Sequence, residues 1–177
     1  TLFNTYNFFA LYANLDGFKM DEQNVLPYAQ RTELDRWIIS KLYSLVADYH
    51  AAMNAYDVTR ACRAIETFVD EHLSNWFVRL SRRRFWKSSP TPPQDVANAL
   101  KNADIKSSEG LGADKTAGYQ TLFECLLVTG QLMSPVAPYF ADWLYRNLTA
   151  PVKADAKAHR TPLRHDSVHL SDLTQPD

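Results

Sequence analysis

The chain has 177 residues, 46% hydrophobic, 12% aromatic and 22% charged, with a net charge of −1 at pH 7. That is apolar material enough for one packed domain, and no apolar run approaches the ~20 residues a membrane span needs. The charged fraction is ordinary for a soluble globular protein, and the opening from Thr1 to Leu15 mixes Asn and Tyr without a signal-peptide pattern.

Residues 1 to about 16 read as a first helix. Leu2, Phe3, Tyr6, Phe9, Ala10 and Ala13 recur at helical spacing, and Gly17 suits the position just past the end. Phe8, Leu11, Tyr12 and Leu15 are apolar on the other faces, so burial nearly all round is expected. Asp16 to Gln30 is a polar connector broken by Pro27. Thr32 opens a second helix to about Ala55, with Asp35 three residues on as a weak capping box. Its stripe is Leu34, Trp37, Ile38, Ile39, Leu42, Leu45, Val46 and Tyr49.

Asp57 caps a third helix. Val58, Ala61, Ile65, Phe68, Val69, His72, Leu73, Trp76 and Leu80 form its broad apolar face. At about 100° per residue, Arg83 joins the face of Ile65 and Trp76. His72 on this stripe reads as a hydrogen-bonded core histidine rather than a catalyst. Ser88 to Pro93 ends the helix, and 88–114 reads as a surface loop or insertion. A fourth helix starts at Lys115 with Tyr119, Leu122, Phe123, Leu126, Leu127, Gly130 and Met133 facing inward. A fifth runs from about Val136 to Leu148, with Pro135 and Pro138 at its start. After Pro151 the composition turns polar, and Val168 to Leu170 reads as a short extended segment. The expected fold is all-α: an antiparallel bundle of about five helices over 1–150, with an irregular tail over 151–177.

The most unusual stretch runs from Phe77 to Lys87. It carries Arg79, Arg82, Arg83, Arg84 and Lys87 with no acidic residue, between Trp76 and the pair Phe85 and Trp86. Basic side chains attract phosphates and planar ones stack on bases. Arginines at a helix end also suit the helix dipole, but one or two would serve. The eight residues Trp76, Arg79, Arg82, Arg83, Arg84, Phe85, Trp86 and Lys87 are therefore the candidate RNA contacts. Periodicity alone would equally put Trp76 in the core, and Phe85 and Trp86 at the closed end of the bundle.

Catalytic motifs are missing. No Gly-rich loop precedes a helix and no Gly-x-Ser-x-Gly elbow occurs. Asp70 and Glu71 adjoin but point about 100° apart on a helix. His165 and His169 lack further metal partners, so no cofactor or metal is expected in this chain. Cys62 and Cys125, each in an apolar pattern, read as buried free thiols of a reducing compartment. The chain starts without methionine and in mid-pattern, so a piece of a larger protein is expected.

Several blocks, in order, resemble isoleucyl-tRNA synthetases. Asn4 to Phe18 is similar to the first helix after the catalytic domain. Leu34 to Leu42 (Leu-Asp-Arg-Trp-Ile-Ile-Ser-Lys-Leu) is similar to the second, and Tyr56 to Asp70 to the third. Ser74 to Trp86, ending in three arginines and Phe-Trp, resembles the isoleucyl signature rather than the valyl or leucyl one. Tyr119 to Phe123, Leu132 to Tyr139 and Ser167 to Leu170 follow in register. The resemblance covers nearly everything outside roughly 88–114. It implies the anticodon-binding domain of the class Ia enzymes, a helical bundle that grips the anticodon stem-loop of tRNA(Ile). In the methionyl relative a tryptophan near the place of Trp76 stacks on an anticodon base, which makes Trp76 a candidate stacker. The ATP-handling signatures, the Rossmann core and the editing domain are not in this sequence. ATP and Mg2+ are thus expected for a parent enzyme and not for this chain, which should neither activate isoleucine nor edit misacylated tRNA. A cytoplasmic monomer is expected, touching the catalytic and C-terminal domains of its parent. The competing readings are a helical protein-interaction domain and the equivalent domain of a valyl-type enzyme.

Overall fold

A computed structural model describes residues 1–21, 24–86, 112–155 and 165–175, with 152–155 described in backbone only. Lys87 and residues 88–111 of the loop expected over 88–114 lie outside these residues, and Ala113 and Asp114 of that span belong to a helix.

Helix α1 (Leu2–Leu15) ends where Gly17 takes φ +65°. Phe18 then donates its amide to the Ala13 carbonyl (2.8 Å) and Gly17 to that of Asn14 (3.3 Å). This pair of bonds satisfies carbonyls the helix leaves open, and glycine takes the left-handed position without a side-chain penalty. Phe18 lands stacked on Tyr119 and edge-on to Phe9. Only the stripe Leu2, Thr5, Phe9 and Ala13 is buried. Phe3, Leu11 and Leu15 are exposed, so the expectation of burial all round is corrected. The connector is strapped to the bundle by Gln120, which is buried and bonds both the Leu26 amide and the Asn24 carbonyl (2.9 Å each).

Helix α2 (Glu33–Asn54) starts as expected, with Thr32 accepting from the Asp35 amide (3.3 Å). It ends with Tyr56 at φ +59°, almost fully exposed, in the position Gly17 fills after α1. Asp57 caps the next helix, accepting from the Arg60 amide (2.9 Å).

Three helical pieces follow without a break: α3 (Val58–Thr67), a π-helical stretch (Phe68–Val78) and α4 (Arg79–Trp86). Ala61, Ile65, Val69, Leu73, Phe77, Ser81 and Phe85 are buried at strict four-residue intervals. In a pure α-helix such an interval overshoots each 3.6-residue turn by about 40° and would wind out of the core. A π turn, closed between residues five apart, is wider, and four residues fall short of it. The mixed rod keeps one face inward across its whole length. This overturns the expected register. Trp76, Leu80 and Arg83, expected to share the face of Ile65, point to solvent. His72 is half-buried with its ring edge-on to Trp37 and Phe68.

Helix α5 (Ala113–Met133) is the centre of the bundle and touches α1, α2, α3, α4 and α6. From Ala117 to Phe123 every residue is buried, which explains its lack of a polar face. Tyr119 donates to Asp16, which also pairs with Lys115 (2.6 Å). Burial, then that hydrogen bond, pushes the Tyr119 hydroxyl pKa up. Cys125 is fully buried and burial pushes its thiol pKa up, whereas Cys62 is only half-buried.

Helix α6 (Pro138–Asp155) begins at proline, where no helical donor is lost. It runs through Pro151, past the end expected at Leu148. Val168–Leu170 is a 3-10 turn rather than an extended segment. Its Val168 is buried against Ala141 and Tyr145. Asp142 holds it there, accepting from Ser167 Oγ (2.6 Å) and the Val168 amide (3.2 Å) while pairing with Arg146 (2.7 Å). The Ser167 hydrogen bond leads in holding the Asp142 carboxyl below its ordinary range. A carboxylate depressed in the folded state stabilises it above the ordinary pKa, and that contribution fades as pH falls through the lowered value. The Val168 amide should therefore stay protected from exchange at neutral pH and lose protection only once the pH has fallen below the ordinary carboxylate range. In Asp142→Asn the protection should be weak at every pH. A segment whose exchange ignores both acid and the substitution would refute this account.

Candidate nucleic-acid interface

The edge singled out in the sequence is built by the π stretch and α4. The four-residue interval turns Phe77, Ser81 and Phe85 inward; of the residues between them, Val78 is also buried and Arg84 mostly so, while Arg79, Leu80, Arg82 and Arg83 face out. Trp76 is 58% exposed, Leu80 57% and Trp86 55%, and Arg79, Arg82 and Arg83 are all exposed. Arg82 and Arg83 lie three and four residues beyond Arg79, and Trp86 lies four and three beyond them. Side chains at these spacings are neighbours on an α-helix, where like charges repel. Within the described residues no ion pair relieves Arg79, Arg82 or Arg83. Among the described residues the edge is thus a cationic row with no acidic partner, between two exposed indoles. Trp37 of α2 extends it: half-buried, it lies 6.4 Å from Trp76 and 5.8 Å from His72, ring centre to ring centre.

Two of the expected RNA-binding residues are not on this edge. Phe85 is 2% exposed, packed against Phe8 (5.4 Å) and Tyr119 (4.9 Å). It belongs to the core, because it falls on the four-residue stripe. Arg84 is turned into the bundle. Its guanidinium makes a two-pronged bond to Asp35, whose side chain is wholly buried (2.8 and 2.7 Å), and donates from Nε to the Asp114 carbonyl (2.7 Å). Asp114 Oδ1 lies 3.0 Å away. A guanidinium so occupied has no free face for phosphate. Lys87 lies outside the described residues.

Sequence reasoning misses Asp35, Asp114 and Gly118 as partners of Arg84, and Trp37 as a neighbour of Trp76. Local pattern marks Asp35 only as a helix-capping residue, and Trp37 as part of the α2 core stripe. The signal available is a carboxylate on the inner stripe of α2, since Asp35 precedes Ile38, Ile39 and Leu42 at three, four and seven residues. Buried acids need a cationic partner. Among the described residues no group of three or more His, Cys, Asp and Glu gathers to hold a metal, and no helix is long and apolar enough to cross a membrane.

In class, the described chain is an all-α bundle that presents cations and indoles along one helical edge. Residues 35–177 match the anticodon-binding domain of tRNA ligases, and the chain belongs to that family. It is 44% identical over 177 residues to an isoleucine–tRNA ligase of Porphyromonas gingivalis, covering all of this chain and 12% of that protein. It is 46% identical over 173 residues to that of Cytophaga hutchinsonii, covering 98% of this chain and 13% of the relative. The isoleucine–tRNA ligase of Thermus thermophilus is 37% identical over 177 residues, covering 100% of this chain and 14% of that protein. The chain thus spans between about an eighth and a seventh of the length of these relatives.

Proposed function

We propose that this chain is the tRNA-binding module of an isoleucine–tRNA ligase and grips the anticodon stem-loop of tRNA(Ile). The observation that carries the reading is the exposed row Arg79, Arg82 and Arg83 set between Trp76 and Trp86. Phosphate contacts from the arginines would hold the stem-loop without reading sequence. The indoles would offer stacking surfaces to unpaired bases, the elements through which RNA loops are recognised. Family membership and likeness to the isoleucine enzymes support the choice of RNA and of tRNA(Ile). In such a parent, activation of isoleucine with ATP and Mg2+ falls to domains beyond this chain. The proposed setting is a cytoplasmic, monomeric enzyme.

The experiment is a competition assay among tRNAs of different anticodons at several salt concentrations. Preference for tRNA(Ile), with affinity falling as salt rises, is expected. Binding that ignores RNA and follows a protein partner would sink the proposal. Within the same assay, Arg82→Ala with Arg83→Ala should weaken all tRNAs alike. It should also flatten the salt slope by about one unit for each phosphate that no longer meets an arginine. Trp76→Ala should melt near the parental temperature, because its ring is mostly in solvent. It should lose roughly 1–3 kcal/mol of tRNA affinity with the slope kept. A Trp76→Ala chain that binds like the parent removes Trp76 from the interface.

A further inference from the structure

We infer that Arg84 is a positioning residue for the RNA-binding edge: its clamp on Asp35, seated over Gly118, sets the angle at which α4 presents Arg79, Arg82, Arg83 and Trp86. This rests on the anticodon stem-loop reading above.

Helix α4 is eight residues long and continues the π stretch as one rod, so how its end seats against α2 and α5 is set by its inward side chains. Of its inward side chains, Ser81 is small, and its buried hydroxyl has no hydrogen-bond partner among the described residues. Phe85 is gripped by rings, which restrain distance more than rotation. Arg84 is different. Its planar group is bonded from two sides, by Asp35 at the start of α2 and by Asp114 at the start of α5. A third side is closed by Gly118, where a Cβ would come 3.1 Å from the Arg84 Cζ and Nε. A methyl group there fits only if the guanidinium gives way by a few tenths of an ångström. Asp35 is itself held, accepting from the Thr32 hydroxyl (2.8 Å).

Stability alone does not call for this pair. Burying two charges carries a desolvation cost, and apolar residues of like volume often serve a fold as well or better. What a two-pronged arginine–carboxylate bond supplies is direction. Direction matters to the row outside, because binding constellations weaken when their supporting side chains leave them loose by about 1 Å.

The test compares three variants of the intact chain, with tRNA(Ile) binding measured across salt and amide exchange measured along α4. The double substitution Asp35→Leu and Arg84→Met removes both charges together. It should melt at or above the parental temperature, yet bind tRNA roughly tenfold more weakly, the scale of one unstacked base. The salt slope should not change, since every arginine that faces phosphate is kept, and α4 amides should exchange faster. Gly118→Ala keeps both charges and pushes the guanidinium by a few tenths of an ångström; it should show the same signature, and serves where the double variant does not fold. Arg84→Lys keeps the charge without the fork and should also bind weakly. Parental affinity in a folded double variant or in Gly118→Ala overturns the inference. So does an Arg84→Lys chain that binds like the parent, since a plain phosphate ligand tolerates lysine. If the parental chain binds no tRNA, the anticodon reading fails, and unchanged α4 exchange in the variants is then the separate result that would defeat the clamp.

Discussion

Phe85→Ala is expected to destabilise the chain by about 3–5 kcal/mol, the usual cost of truncating a buried phenylalanine. For a chain of this length that corresponds to a fall of roughly 6–20 °C in the thermal midpoint. The ring is 2% exposed and lies between Phe8 of α1 and Tyr119 of α5. Its loss would open a void where three helices meet, and Tyr119, tied to Asp16, is poorly placed to collapse into it. The neighbouring Trp86, 55% exposed, gives the contrast. Trp86→Ala should leave the midpoint near the parental value while weakening tRNA. Thermal unfolding of the two variants side by side decides the matter. Equal midpoints would show that the burial assigned to Phe85 is wrong.

Asp35→Ala is expected to cost a similar amount, about 3–5 kcal/mol, because it strands a buried cation. Arg84 would keep Asp114, but that carboxylate is 65% exposed and screened by water, so it replaces only part of what Asp35 gives. The effect should therefore sit toward the lower end of the range. Arg84→Ala should be comparably harmful, since it leaves the wholly buried Asp35 carboxylate without its guanidinium. Combining Asp35→Leu with Arg84→Met should restore the parental stability or exceed it. Denaturant unfolding of the single and double variants measures the coupling directly. Single variants as stable as the parent would mean that the pair is not buried as described.

Helices α1, α2 and the caps between elements were legible because their causes are local. Gly17 ends α1 by its own backbone freedom, and Thr32 and Asp57 bond amides three residues on. The all-α class followed from spacing that local geometry imposes. The recognition edge was half legible. Composition marked the stretch from Trp76 to Trp86, but not which of its side chains face out. Periodicity counted at 100° per residue put Trp76 and Arg83 on the apolar face of Ile65, because nothing in the residues from Phe68 to Val78 announces wide turns.

The residues taken alone set an inventory: helices, caps and one stretch rich in arginine and tryptophan. Those depend on chain neighbours and on composition. How they are used was settled by packing. The π stretch turned Phe85 into the core and Trp76 out of it. Asp35, 49 residues away from Arg84, took that arginine out of the cationic row. Helix α5, rather than α1, became the buried centre because it is packed by neighbours on several sides. These outcomes are set by contacts between residues far apart in sequence, whose energies exist only once the helices are packed together.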